Sequence, residues 1–449
     1  MFKNLQILGA IDILVIGAGS SGCMAAMSAA ANKKYSVLLV ERYGFAGGTS
    51  TQMLDTFYGF FTPGEIPKKI VGGLPDTVVN ELDQLGEIFL RPNTYSAGTG
   101  VNYNPERLKN VWDHLLQQAG VNLLLHTVLI DVNQQSTGQY ECIFWNKGGF
   151  CKATPKRLID ASGDADFCHH AGFKYEVAGE LEPAQSMTTT FRMANVDLQE
   201  YEQAGGKKML AEKMLATTHP LPRKEGSAHA MNIEKCIATV AVKVAGLNAL
   251  NASDLTLAEI EGRRQSFVFE HFFRDEVPGY SHAKIIGLSN QIGVRETRRV
   301  YGEQRLTKEA CMAATIPEDS VLLCGAPIED HRAGKGGEQE TFWQYIPKGG
   351  VYGVPYGTLV PSGSETVWVT GRCFSATHDA HASCRSMAQT MAMGTAVGSA
   401  AVQSLKDDEA ASQLNIVKLR STLLRQGAVL EAPVKMAHTG KNDWHLNLK

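Results

Sequence analysis

The sequence lacks the features of a membrane-spanning, disulfide-stapled or nucleic-acid-binding chain. It has no uninterrupted apolar run of roughly 18 residues, the length a spanning helix requires. The apolar stretch at Ile11–Ile16 is only strand length and is broken by Asp12. The N-terminal residues Met1–Ile16 contain a single lysine and no small-residue cleavage site, so they do not read as a secretory signal. Nine cysteines are scattered without a C-x-x-C pair. That argues against a disulfide framework, a cysteine zinc site and an iron–sulfur centre, and it fits reduced thiols in a cytoplasm. Lysine and arginine total 43 against 46 acidic residues, a formal net charge of -3. Without a basic excess, no nucleic-acid partner is expected. There is no internal repeat of about 20–50 residues and no low-complexity tract.

What remains is ordinary globular composition, 44% hydrophobic and 20% charged, which rules out disorder for the chain as a whole. At 449 residues, two or three domains are expected. Glycine is abundant, with 44 residues, and it gathers in sets: Gly17, Gly19 and Gly22; Gly44, Gly47 and Gly48; Gly334, Gly336 and Gly337. Glycine clusters where backbone turns tightly or approaches a ligand closely.

The first set has a telling frame. Asp12-Ile-Leu-Val-Ile16 reads as a buried parallel strand, and Gly17-Ala-Gly-Ser-Ser-Gly22 follows at once. An alanine-rich helix comes next, and a second strand, Ser36-Val-Leu-Leu-Val-Glu41, ends in an acid. Gly17 permits the tight turn, Gly19 lets backbone N–H groups approach a pyrophosphate, and Gly22 lets the helix pack on the strand. Ser20 and Ser21 open the helix, whose N-terminus favours an anion. Glu41 lies 19 residues beyond Gly22, near the spacing at which such an acid accepts hydrogen bonds from a ribose. An acid there disfavours a 2′-phosphorylated nucleotide.

The next segment, Arg42-Tyr-Gly-Phe-Ala-Gly-Gly-Thr-Ser-Thr51, supplies Gly47 and Gly48 followed by the hydroxyls of Thr49, Ser50 and Thr51. Such a loop suits a ligand longer than NAD's adenosine end requires. Here the sequence resembles FAD-dependent oxidoreductases, whose signature is E-R, a few residues, then G-G-x-[ST]. Leu158-Ile-Asp-Ala-Ser-Gly-Asp164 resembles their second flavin motif. Thr366-Val-Trp-Val-Thr-Gly-Arg-Cys-Phe-Ser-Ala-Thr-His378 resembles the last, and Gly293-Val-Arg-Glu-Thr-Arg-Arg299 resembles an internal stretch. The best match is the bacterial FAD-dependent oxidoreductase family of poorly defined substrates, a branch of the glutathione-reductase-like flavoproteins. The resemblance spans about residues 10–430.

It implies an α/β architecture: a Rossmann-like, glutathione-reductase-like FAD-binding domain with an inserted α+β substrate domain. The expected boundaries are 1–180 and 351–449 for the discontinuous FAD domain and 181–350 for the substrate domain. FAD is the implied cofactor. The implied activity is hydride transfer between flavin N5 and a small polar organic substrate, with an electron acceptor that the sequence does not specify. A carbon–carbon double-bond reductase and a non-catalytic flavin protein are the alternatives. The lack of a second G-x-G-x-x-G argues against a reductase with a separate NAD(P)H domain. The resemblance adds Val128 (adenine side), Ser162, Gly163, Asp164, Gly371, Arg372 and Arg385 to the cofactor set. Arg372 stands where many flavoproteins carry an acid, and Asp379 is the positional candidate for the ribityl chain.

Three residues are candidates for catalysis. His378 lies just after the last flavin motif, as a base or a flavin contact. Arg295 heads a run with Arg298 and Arg299 and can bind a carboxylate, the other two suiting ion pairs with Glu296 and Glu303. Tyr352 lies in a glycine-rich loop with Tyr356 and can face substrate. Arg192 and His331 are weaker candidates. Cys168, His169 and His170 are consecutive, which is poor metal-ligand geometry, and no metal is expected.

Overall fold

The computed structural model describes residues 5–93, 96–332 and 341–432. The glycine set at 334–337 lies outside them. Apolar strands with both faces covered form an all-parallel sheet. Its strand order is Val367–Val369, Arg157–Asp160, Ile13–Ile16, Val37–Val40 and Asn122–Leu124. All four residues of Ile13–Ile16 are buried, as are all four of Val37–Val40. The three sequence motifs therefore end on neighbouring strands of one sheet.

Two helices cover one face. Ser20–Ala30, small residues apart from Met24 and Met27, is buried along its whole length. It packs closely on the long helix Met387–Asp407. A Cβ on Gly394 would stand 2.1 Å from Ser21 O, and one on Gly398 would stand 2.3 Å from Ala25 O. Only hydrogen fits there, so these two glycines set the spacing that anchors the first glycine loop. The helix Pro105–Ala119 is amphipathic and capped at both ends. Asn104 accepts from Glu106 N, Gly120 takes a left-handed turn at φ 79°, and Leu108, Val111, Trp112, Leu115 and Leu116 are buried.

Tyr140–Asn146 and Gly149–Ala153 form an antiparallel hairpin that joins a third strand, Val128–Gln134. Beyond residue 180 lies a separate antiparallel sheet, in the order Ser227–Ala230, Ile237–Val240, Phe191–Ala194 and Lys284–Leu288. The helix Ala252–Glu276 covers it with Phe269, Phe272 and Phe273, in a core of its own running from Met187 to Ile292. Leu306, Cys311, Val321 and Ile346 pack instead into the larger core around the parallel sheet. In the alternating stretch Gln185–Met193 the strand starts only at Phe191, and Met187 and Thr188 bridge instead to Val244 and Gly293. Leu198–Gln203 and Gly206–Ala216 form two separate helices, divided at Gly205, whose φ is 112°.

Replacing Gly394 by Ala should cost about 1–3 kcal/mol by overpacking. A thermal melt of Gly394→Ala checks this, and an unchanged melting temperature would contradict the close approach.

Candidate active site

The turn after Ile13–Ile16 is held by backbone bonds. Gly17 N–H donates to Val40 O at 2.8 Å, and Gly47 N–H donates to Ala18 O at 2.7 Å. The second glycine loop is thus laid against the first, with Gly19 and Gly47 bridged. Ser20 Oγ donates to Ser50 Oγ at 3.0 Å and Ser50 Oγ to Gly47 O at 2.8 Å, while Thr51 Oγ1 donates to Ala46 O. Gly17 has φ 97°, and a Cβ there would meet Ala161 O at 2.4 Å. A Cβ on Gly22 would meet Gly17 O at 1.8 Å, whereas around Gly19 a Cβ would meet nothing within 4 Å. Gly17 and Gly22 are therefore bound by packing, and Gly19 by the open space it faces.

That space is a cavity of about 760 Å³. At one end it is bordered by Gly17, Gly19, Ser20, Ser21, Glu41 and Arg42, with Gly47, Gly48 and Thr49 alongside. Ser162, Gly163, Gly371 and Arg372 from the later motifs border it too. Glu41 accepts from Ala18 N–H at 2.7 Å and from Tyr43 N–H at 2.9 Å, which fixes its carboxylate at the cavity wall. Burial raises its pKa against those hydrogen bonds. Open backbone at a helix N-terminus beside a fixed acid is the donor and acceptor set a dinucleotide requires.

Other expected residues stand behind this wall. Gly22, Ser50 and Thr51 support the loops. Asp164 is an ion-pair node, with Arg372 at 2.6 Å, Arg42 at 3.5 Å and Thr297 Oγ1 at 2.9 Å. Burial acts to raise its pKa, but the two guanidiniums hold it below the usual range. Arg372, which replaces an acid, is accounted for by this pair. Asp379 is paired with Lys308 at 3.0 Å, and Val128 is partly exposed at the start of its strand; neither borders the cavity.

Two of the three expected catalytic residues are also placed elsewhere. His378 is 5% exposed and does not border the cavity. Its Nδ1 lies 3.1 Å from Glu296 Oε2 and its Nε2 lies 3.3 Å from Asp330 Oδ1. Burial opposes its charge, but the two carboxylates raise its pKa to about 10. It is a clamped imidazolium with no lone pair for a substrate proton. Tyr352 is 1% exposed, and its hydroxyl is 2.7 Å from Ser383 Oγ in the core; Tyr356 donates to Ala411 O there as well. Arg299 pairs with Glu296 at 2.6 Å and with Glu176, while Arg298 pairs with Asp166. Glu303 turns away to accept from Gly363 N–H. Asp330, His378 and Asp379 bring three ligand atoms within 4.8 Å of one another. Arg332 and Lys308 already neutralise the two carboxylates.

Arg295 does border the cavity, with His331 and Arg385. The cavity wall also holds residues that no motif marked. Asp55 and His229 are 4% and 7% exposed, and His229 Nε2 lies 3.0 and 3.1 Å from the two Asp55 oxygens. Burial pushes the Asp55 pKa up, but His229 and the nearby arginines bring it below its ordinary value. His229 Nδ1 is buried and has no hydrogen-bond partner among the described residues. Asp55 and His229 are 174 residues apart, so no local pattern could have joined them. Arg223 and Glu329 complete the far wall.

The fold and this wall define a dinucleotide-binding α/β protein with polar chemistry at the far end of one cavity. The sequence matches the family described as FAD dependent oxidoreductase over residues 12–423. The chain belongs to that family: it is an FAD-dependent oxidoreductase with a mixed α/β FAD-binding fold, and FAD is its cofactor. Among solved structures, a geranylgeranyl bacteriochlorophyll reductase-like protein from Thermoplasma acidophilum is 12% identical, with 95% of this chain and 85% of that chain covered and a TM-score of 0.48. A p-nitrophenol 4-monooxygenase from Pseudomonas putida is 9% identical, with 95% and 88% covered and a TM-score of 0.47. A flavoprotein/dehydrogenase from Cytophaga hutchinsonii is 14% identical, with 93% and 83% covered and a TM-score of 0.43. No curated protein matches the sequence. Among the described residues, no helix is long and apolar enough to cross a membrane.

The His378 clamp has a pH signature. Its folded value of about 10 exceeds the ordinary ~6.5. Its stabilisation is therefore complete below about 6.5 and is lost as pH rises through about 10. Urea unfolding from pH 7 to 10 should show falling stability. In His378→Gln that slope should shrink, with a loss of about 2 kcal/mol at pH 7. An identical slope in the variant would contradict the clamp.

Proposed function

We propose that this enzyme oxidises a small polar organic substrate at this cavity, with His229 as the base that would take a proton from it. The observation that supports this most is the Asp55–His229 pair on the wall of the cavity that Gly19 and Glu41 also border. FAD, when bound, supplies the two-electron acceptor whose N5 takes a hydride.

With Asp55 ionised, its carboxylate favours the tautomer that carries hydrogen on His229 Nε2. Nδ1 then holds a lone pair that can receive the substrate proton. Asp55 orients the ring and stabilises the imidazolium that results, the role a buried acid plays beside a catalytic histidine. Arg295 orients the polar group of the substrate. His378 is then a positioning residue, since it ties Glu296 to Asp330 behind the wall.

The cofactor residues belong to the same proposal. Gly17, Gly19, Ser20 and Ser21 cradle the pyrophosphate, Glu41 binds the ribose, and Arg42, Gly47, Gly48 and Thr49 follow the ligand. Ser162, Gly163, Gly371 and Arg372 close the other side. We assign this part of the chain to the glutathione-reductase-like subtype, which the parallel strand order supports. The division into a cofactor part, 1–180 and 351–449, and a substrate part, 181–350, is supported by the separate core from Met187 to Ile292. Packing of Leu306, Val321 and Ile346 into the larger core favours an earlier return to the cofactor part.

Screening polar alcohols, amines and hydroxy acids for anaerobic bleaching of the bound flavin should find a reductant. His229→Gln should then slow that bleaching by about 10²–10⁴-fold while FAD content stays unchanged. A wild-type rate in His229→Gln would remove the base assignment.

A further inference from the structure

The cavity's far wall carries more positive charge than its carboxylates balance. Arg223, Arg295 and Arg385 all border it, and Lys243 lies behind, with its Nζ 3.1 Å from Thr341 Oγ1 on the wall. The opposing carboxylates there are Glu329 and Glu225; Glu225, whose side chain is 55% exposed, pairs with Arg223, which leaves Glu329 facing Arg295 and Arg385. His331 does not add charge at neutral pH, because burial and Arg295 lower its pKa to about 3.

Two other arginines, Arg299 and Arg372, are paired with acids. Arg299 is bonded to Glu176 and Glu296, and Arg372 is bonded to Asp164. Arg295 and Arg385 differ. Arg295 donates to the Ser186 carbonyl. Arg385 donates to Gln185 Oε1 at 3.0 Å and to the Glu329 carbonyl at 3.1 Å. Neither guanidinium is hydrogen-bonded to a carboxylate among the described residues. Arg385 Nε and Arg223 Nε are buried without a hydrogen-bond partner there. The crowding is felt by the neighbours: burial, Arg223 and Arg295 together lower Lys243 to about 7, and burial and Arg385 lower Arg295 to about 9.

A guanidinium taken from water needs an anion, and a planar carboxylate matches its paired N–H donors. We infer that Arg295 and Arg385, with Arg223 beside them, form an anion site that binds a carboxylate group of the substrate. This rests on the redox reading above for the word substrate; the anion site itself does not. It moves Arg385 from the cofactor side, where the sequence pointed, to the substrate side.

The test uses the FAD-loaded protein and calorimetric titration with acetate, succinate, benzoate and inorganic phosphate, with flavin absorbance followed in parallel. At least one carboxylate should bind saturably, more tightly than phosphate, and should shift the flavin spectrum. Arg295→Met and Arg385→Met should each weaken that binding at least tenfold while retaining FAD and the wild-type melting temperature. Three results would overturn the site: no saturable carboxylate binding, tighter binding of phosphate, or unchanged carboxylate affinity in both variants. Loss of FAD from Arg385→Met would return that residue to the cofactor. Repeating the titration on protein stripped of FAD separates the two claims. Arg295-dependent carboxylate binding there, without flavin reduction by any compound in the loaded enzyme, would count against the redox reading alone.

Discussion

Buried charge must be paired, and in this protein the pairs tie distant stretches of chain together. Glu296 is the centre of one such set. It accepts from Gln185 N–H at 2.7 Å and meets Arg299 at 2.6 Å and His378 at 3.1 Å. His378 reaches on to Asp330. Asp164 is the centre of another, drawing Arg42, Arg372 and Thr297 into one place. Breaking a buried pair by removing one partner is strongly destabilising, so these sets fix the three flavin motifs relative to the 293–299 segment. Among the groups that the pairing leaves over are His229 Nδ1 and the guanidiniums of Arg295 and Arg385, and these three residues border one cavity.

The frame of the proposed cofactor end was legible in the sequence for a physical reason. A strand, a glycine turn, a helix and a second strand ending in acid are all local, and each residue's role follows from its own backbone. Gly17 and Gly22 are glycines because a Cβ would strike Ala161 O or Gly17 O. The helix Met387–Asp407 carries a run of glycine and alanine that suits a close helix contact. Only the structure identifies Gly394 and Gly398 as the points of that contact.

The chemical end was mostly hidden. His378 attracted attention by its position beside a motif, yet both its ring nitrogens face carboxylates whose segments lie far away in sequence. Asp55 and His229 meet only because the inserted sheet brings Ser227–Ala230 over the segment after the second glycine loop. One signal is present in the sequence. Lys243 interrupts the apolar run Ile237-Ala-Thr-Val-Ala-Val-Lys-Val-Ala245, and a lysine there is costly unless something nearby calls for it.

The central claim is that one cavity is divided between cofactor and substrate. A crystal structure of the protein with FAD bound tests it most directly. The account predicts adenosine ribose oxygens hydrogen-bonded to Glu41, the pyrophosphate over Gly19, and free space between His229 and Arg295. Density for FAD filling the space around Arg223, Arg295 and Arg385, with none beside Glu41, would contradict it.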